Sequence, residues 1–203
     1  MNDDVEATES TLAFYAENVD RYAARSESDS YLRFYNAFVE GLTAGARVLD
    51  LGCGAGWAAK MFSDQGFDTY AVDGCPELAK IASAKIKREV EVMRFEDLAY
   101  DNFFDGIFAN ATLHHLPRGE LPNVLNCIAR ALRPKGKFFA SFKHGDGEHK
   151  DTLGRFYSYY QKEELRQLIE NTNGLNFTDW RIESGIDFSG RQQNFLGCFA
   201  TKD

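Results

Sequence analysis

Val48-Leu49-Asp50-Leu51-Gly52-Cys53-Gly54-Ala55-Gly56 is the stretch from which the rest of the chain is read. Its first four residues are apolar apart from Asp50, which reads as a short buried strand. Three glycines at alternate positions then make a turn, and Trp57 to Phe62 reads as a helix. Strand, glycine turn and helix together let the backbone come close to a ligand and aim unpaired helix N–H groups at it.

The glycine spacing separates two kinds of nucleotide site. A dinucleotide fold uses G-x-G-x-x-G. Here Gly52, Gly54 and Gly56 run G-x-G-x-G, and Trp57 stands in the place of the third dinucleotide glycine. With Asp50 at the strand end, the nine residues resemble motif I of the class I S-adenosylmethionine (SAM) dependent methyltransferases. The resemblance implies that the turn (Asp50, Gly52, Cys53, Gly54, Gly56) wraps the methionine part of SAM. It also implies that an acidic residue ending the next strand holds the ribose hydroxyls. Asp73, in Tyr70-Ala71-Val72-Asp73 and followed by Gly74, stands there. It lies ~20 residues beyond the turn, as a ribose carboxylate in a βαβ unit should.

Upstream, residues 1–10 look frayed, and helical spacing begins with Leu12, Tyr15, Val19 and Tyr22. After a polar break at Arg25 to Asp29, a second helix carries Tyr31, Tyr35, Phe38 and Leu42, with Ser28 or Ser30 as its cap. The string from Tyr15 to Tyr22 is similar to the Y-x-x-x-A-x-x-Y segment of many small-molecule methyltransferases. That likeness implies that Tyr22 folds over SAM, with Val19 where alanine is usual. Residues 1–45 are read as a helical cap or lid, and residues 46–203 as the SAM-binding Rossmann-like part of one domain.

Downstream, helices and strands alternate. Strands are expected at 67–73, 90–93, 103–110 and 136–143, and helices at 56–65, 76–88, 119–132 and 161–171. Pro76 opens its helix where a missing N–H costs nothing. Two adjoining strands, 177–182 and 194–200, close the chain. The expected fold is α/β, a doubly wound, mostly parallel seven-stranded sheet with helices on both faces and an antiparallel strand in the C-terminal hairpin. Ligands of such sheets bind beyond the carboxyl ends of the strands. Glu96/Asp97, Asn110, His114, His115 and Lys143 all follow strand ends, so they should share one mouth with the glycine turn and Asp73.

The resemblance assigns these residues further. An acidic residue after the third strand often accepts from the adenine amino group, and Glu96 and Asp97 both fit. Leu113-His114-His115 resembles the loop that closes over the reactive end of the cofactor, together with Asn110. His114 and His115 are the candidate bases, against a reading in which each is a satisfied loop histidine. Asp105, at the other end of its strand, reads as structural. The irregular stretch from Gly145 to Phe156 reads as a functional loop. The segments around Lys143, Gly154-Arg155 and Gly190-Arg191 are similar to a group of small bacterial methyltransferases, some labelled tellurite-resistance-like. Lys143, Arg155 and Arg191 are read as lining the acceptor side and favouring a small anionic substrate.

Composition narrows the partners. A chain of 203 residues with net charge −8 is one domain that lacks the overall basic face nucleic acid binding needs. Lys80, Lys85, Lys87 and Arg88 cluster at one helix end and read as a solvated face. No apolar run reaches membrane-spanning length, the acidic N-terminus resembles no signal, and four cysteines without C-x-x-C pairing suit a reducing cytoplasm rather than a metal site. A small-molecule methyltransferase, monomeric or homodimeric, using SAM and no metal, is the leading reading. RNA, tRNA or protein methylation, an NAD(P)-dependent oxidoreductase and a non-catalytic SAM-binding module are the alternatives.

Overall fold

The computed structural model describes residues 2–24, 29–188 and 190–203. Arg25 to Ser28, most of the expected polar break, lie outside them, as does the expected cap of the second helix, whether Ser28 or the side chain of Ser30. The helices are α1 (Asn2–Glu17), α2 (Val19–Ala23), α3 (Asp29–Val39), α4 (Trp57–Asp64), α5 (Pro76–Ile86), α6 (Leu121–Ala131) and α7 (Lys162–Glu170). The strands are β1 (Arg47–Leu51), β2 (Asp68–Asp73), β3 (Glu91–Val92), β4 (Phe104–Ala109), β5 (Leu132–His144), β6 (Glu148–Lys150), β7 (Phe156–Tyr160), β8 (Leu175–Ile186) and β9 (Gln192–Lys202).

Strands β3, β2, β1, β4 and β5 lie side by side and parallel. Antiparallel β9 pairs with β5 from Lys137 to Lys143, and β8 pairs with β9. That run is the expected seven-stranded plan with its C-terminal hairpin. The sheet also holds two strands that were not expected. Strand β7 runs parallel to the end of β5, with Lys143 opposite Tyr159, and β6 pairs antiparallel with β7. Most of the stretch read as a functional loop is therefore the hairpin β6–β7.

Side chains alternate across the sheet. Leu49, Ile107 and Phe138 point to the face covered by α6 and α7, through Leu121, Val124, Leu125, Ile128, Leu165 and Ile169. Val48, Phe108 and Phe139 point to the other face, where Phe34, Tyr35 and Phe38 of α3 meet Phe62 of α4. Each of these buried rings stabilises the fold by roughly 1.5–3 kcal/mol. The rings of α3 are thus part of the core, and α1 and α2 lie over the sheet's carboxyl edge.

Two N-terminal expectations are corrected. Residues 2–10 belong to α1 instead of fraying. The helical periodicity from Leu12 to Tyr22 spans two helices, α1 and α2, separated at Asn18. Asn18 Nδ2 donates to the Phe14 carbonyl at 2.9 Å, the same carbonyl that Asn18 N–H reaches at 3.1 Å.

Candidate active site

The glycine turn is held from three sides. Gly52 and Cys53 N–H groups both donate to the Val72 carbonyl of β2, at 2.9 and 3.0 Å. Asp50 Oδ2 accepts from Ala59 N–H at 2.9 Å, so the carboxylate pins the first turn of α4 to β1. Asp73 Oδ2 accepts from Gly54 N–H at 2.7 Å, and Oδ1 accepts from Cys75 N–H at 2.8 Å. Gly52 and Gly54 take φ of +71° and +54°, a region that side chains resist. A Cβ on Gly52 would overlap the Thr112 side chain, and one on Gly54 would come within 2.9 Å of the Tyr22 ring.

Above this turn opens a first cavity of about 730 Å³, its open mouth included. Its lining includes Gly52, Gly54, Asp73, Gly74, Glu96 and Asn110 from the carboxyl edge, and Thr11, Tyr15 and Tyr22 from α1 and α2. Each Asp73 oxygen has one backbone donor on it, which leaves each with acceptor capacity toward the cavity. That arrangement suits a vicinal diol. Burial raises the Asp73 carboxyl above its ordinary range, and the two backbone N–H groups oppose that rise.

The other expected cofactor residues fall elsewhere. Asp50, Cys53 and Gly56 support the turn without lining the cavity, and a Cβ on Gly56 would meet Ala82 of α5 at 2.8 Å. Gly56 therefore serves the packing of α4 on α5. Of the pair left open by spacing, Glu96 lines the cavity and Asp97 does not. Burial pushes the Asp50 carboxyl up to about 7, against the Ala59 N–H and with help from Asp73.

A second cavity of about 670 Å³ shares Tyr15, Tyr22, Asn110 and Ala111 with the first. His114, Lys143, Arg155, Tyr157, Asp187 and Phe188 complete much of its wall. Lys143 Nζ lies 3.4 Å from Asp187 Oδ2 and 3.6 Å from the centre of the Tyr157 ring. Arg155 gives two N–H groups to Asp151 Oδ2, at 2.6 and 3.0 Å. Its guanidinium lies about 5 Å from the rings of Phe14, Tyr157 and Phe188. Arg191 does not line either cavity; it is exposed and donates to Thr152 Oγ1 at 3.2 Å. The expected trio of acceptor-side cations is thus reduced to two.

The two histidines differ. His115 Nδ1 lies 2.7 Å from the Phe156 carbonyl and Nε2 lies 3.0 Å from Tyr15 Oη. With Nδ1–H donating to the carbonyl, Nε2 accepts from the tyrosine, and neither ring nitrogen is left for a substrate. Burial holds its pKa down to about 3, so the ring is neutral. His114 lines the second cavity and is also held well below its ordinary pKa, chiefly by burial, then by His115, Lys143 and Arg155. Its Nδ1 has no partner among the described residues. Of the two candidate bases, only His114 keeps a nitrogen open.

Several lining residues escaped the sequence reading. Thr112, whose hydroxyl faces Gly52, sits inside the quoted loop and carried no signal of its own. Tyr157 and Asp187 were hidden by the misread loop and by hairpin pairing. The run of aromatics in Phe156-Tyr157-Ser158-Tyr159-Tyr160 was the available sign of a strand.

The family described as "Methyltransferase domain" matches residues 10–178. The ubiquinone biosynthesis O-methyltransferase of Xanthomonas oryzae pv. oryzae is 35% identical, over 78% of this chain and 77% of that protein. Among solved structures, Burkholderia thailandensis 1,6-didemethyltoxoflavin-N1-methyltransferase, with bound 1,6-didemethyltoxoflavin and S-adenosylhomocysteine, superposes with a TM-score of 0.78. It is 23% identical and the match covers 98% of this chain and 88% of that one. Magnesium protoporphyrin IX methyltransferase from Synechocystis PCC 6803, with bound S-adenosylhomocysteine, gives a TM-score of 0.72 at 16% identity and 98% coverage of both chains.

Proposed function

The chain belongs to the methyltransferase-domain family, in its SAM-dependent class I, and from that premise we propose that it methylates a small molecule seated in the second cavity while SAM occupies the first. The observation that carries this reading is the shared wall. Tyr15, Tyr22, Asn110 and Ala111 line both cavities, so a donor in one and an acceptor in the other meet there. SAM bound there would supply a methyl group activated by its sulfonium, the S–CH3 bonding pair going to sulfur as the acceptor's lone pair forms the new bond. The remaining work is positioning and exclusion of water.

Each residue then has a task. Asp73 accepts from the ribose hydroxyls through the free sides of both oxygens. Gly52 and Gly54 leave room for the amino-acid part, and Glu96 reaches the adenine edge. Tyr22 covers the turn. On the acceptor side, Lys143, whose 3.4 Å pair with Asp187 is looser than the 2.6 Å pair of Arg155 with Asp151, offers positive charge to an acidic substrate. His114 is neutral and held well below its ordinary pKa, so it serves the acceptor as a hydrogen-bond partner. His115 positions Tyr15. Helices α1 and α2 act as the lid over the donor, a smaller unit than residues 1–45. Among the described residues no helix is long and apolar enough to cross a membrane.

Incubation with SAM carrying a labelled methyl group and pooled small aromatic and aliphatic acids tests the reading. Label should move to one class of acceptor and to neither tRNA nor bulk protein. Transfer to tRNA alone would overturn it.

A further inference from the structure

The two cavities differ in chemistry. Half of the residues lining the second are phenylalanine or tyrosine: Tyr15, Tyr22, Tyr31, Phe34, Tyr157, Phe188 and Phe195. The first has only Tyr15, Tyr22 and Phe95 among its nineteen. Rings attract flat partners through offset stacking and edge contacts, worth ~0.5–1.5 kcal/mol each beyond burial. Phe34, Tyr157 and Phe188 are themselves 2%, 3% and 8% exposed, so these walls are packed in place and do not need to be ordered by a ligand.

The charges in that wall select further. Lys143 is 3% exposed, so its ammonium sits away from bulk water. Its distance of 3.4 Å to Asp187 exceeds the ~2.7–2.9 Å of a tight charged hydrogen bond. An ammonium has three donors, and neither that loose pair nor the Tyr157 face exhausts them. Arg155 grips Asp151 with two of its N–H groups, which fixes its guanidinium in the wall. An aromatic cage for a quaternary ammonium would place its rings without buried cations beside them. Here Lys143 and Arg155 stand among the rings, each facing one carboxylate, Asp187 and Asp151, so the wall offers no uncompensated negative charge to a cationic ligand.

We propose that the acceptor is a planar aromatic molecule bearing one acidic group, which sits against Lys143 while the ring system packs on the aromatic wall. This rests on the reading of the second cavity as the acceptor site. Small aliphatic anions are disfavoured because they leave the aromatic wall unfilled. Cationic amines are disfavoured by Lys143 and Arg155.

The test is calorimetric titration of the protein saturated with S-adenosylhomocysteine, using three probes of matched size. These are 2-naphthoate, its saturated counterpart decahydro-2-naphthoate, and 2-naphthylmethylammonium. The expected result is that 2-naphthoate binds at least tenfold more tightly than either other probe. Lys143→Met should weaken it at least tenfold, with Lys143→Arg restoring most of the loss and the affinity for S-adenosylhomocysteine unchanged in both. Equal binding of the saturated acid, preference for the ammonium, or no binding of any probe would overturn the proposal. So would 2-naphthoate binding indifferent to Lys143→Met. Should that variant not fold, the ranking of probes on the wild type decides alone. Failure of S-adenosylhomocysteine itself to bind is read separately and would remove the two-cavity reading underneath.

Discussion

Tyr15 Oη and His115 Nε2 are 3.0 Å apart, a bond across 100 residues that ties α1 to the loop after β4. The same His115 bonds the Phe156 carbonyl, and Phe156 N–H donates to Thr11 Oγ1 at 3.0 Å. Thr11 and Tyr15, one turn apart on α1, therefore close a ring of bonds through a single backbone residue of β7. The latch holds the N-terminal helix over the first cavity.

Tyr15→Phe should loosen that latch while keeping the ring packing against Tyr22. The variant leaves a buried acceptor unpaired, at a cost of about 1–2 kcal/mol. Amide exchange in α1 should speed up roughly five- to thirtyfold, because that energy range corresponds to such a ratio. S-adenosylhomocysteine should bind more weakly, and global melting should move little. Unchanged exchange in α1 would show that the helix is held by packing alone.

Gly52 and Gly66 form a matched pair for separating backbone strain from crowding. Their φ values are +71° and +82°. A Cβ at Gly66 meets nothing within 4 Å, whereas one at Gly52 runs into Thr112, with its Cβ at 2.7 Å. Gly66→Ala should cost about 1 kcal/mol, the strain of a left-handed residue alone, and leave cofactor affinity intact. Gly52→Ala should cost more and reduce affinity for S-adenosylhomocysteine at least tenfold. Denaturant unfolding and calorimetry on both variants check this.

Asp50 should make stability depend on pH in an uncommon direction. Its folded pKa is raised by burial to about 7 from an ordinary 3.8, so the folded state binds the proton more tightly than the unfolded chain. Its contribution to stability is then greatest below pH ~4 and falls as pH rises to ~7, by an amount on the order of a few kcal/mol. Asp50→Asn should remove that slope. Melting curves from pH 4 to 8 should fall more steeply for the wild type than for the variant; parallel curves would mean that Asp50 is ionised throughout.

Arg155→Met should act first on stability. The residue is 1% exposed and its pair with Asp151 closes the link between β6 and β7. Losing it leaves a partly buried carboxylate, which costs about 2–4 kcal/mol. Unfolding in urea measures that loss. Turnover of the folded fraction, once an acceptor is in hand, should fall as the wall of the second cavity loosens. Unchanged turnover would remove Arg155 from the acceptor side.

The core sheet was legible because its strands carry local signals: apolar runs ending in glycine turns or acidic caps, with Pro76 at a helix start. Positions of candidate groups at strand ends followed from parallel topology, which is why Asp73, Asn110 and the pair Glu96/Asp97 could be placed near one mouth. What stayed hidden depends on contacts distant in sequence. Whether Glu96 or Asp97 faces the cavity is decided by a single 3-10 turn, and spacing alone cannot orient it. The difference between His114 and His115 arises from Tyr15 and Phe156, neither of which is near them in the chain. Gly56 looks like a ligand-binding glycine in the motif, yet its close neighbour is Ala82 on another helix.

The most direct measurement is titration of the protein with S-adenosylhomocysteine and NAD in parallel, on the wild type and Asp73→Ala. S-adenosylhomocysteine should bind the wild type, NAD should not, and the variant should lose at least tenfold in affinity while remaining folded. Binding of NAD alone, or S-adenosylhomocysteine binding indifferent to Asp73→Ala, would contradict the assignment of the first cavity to the methyl donor.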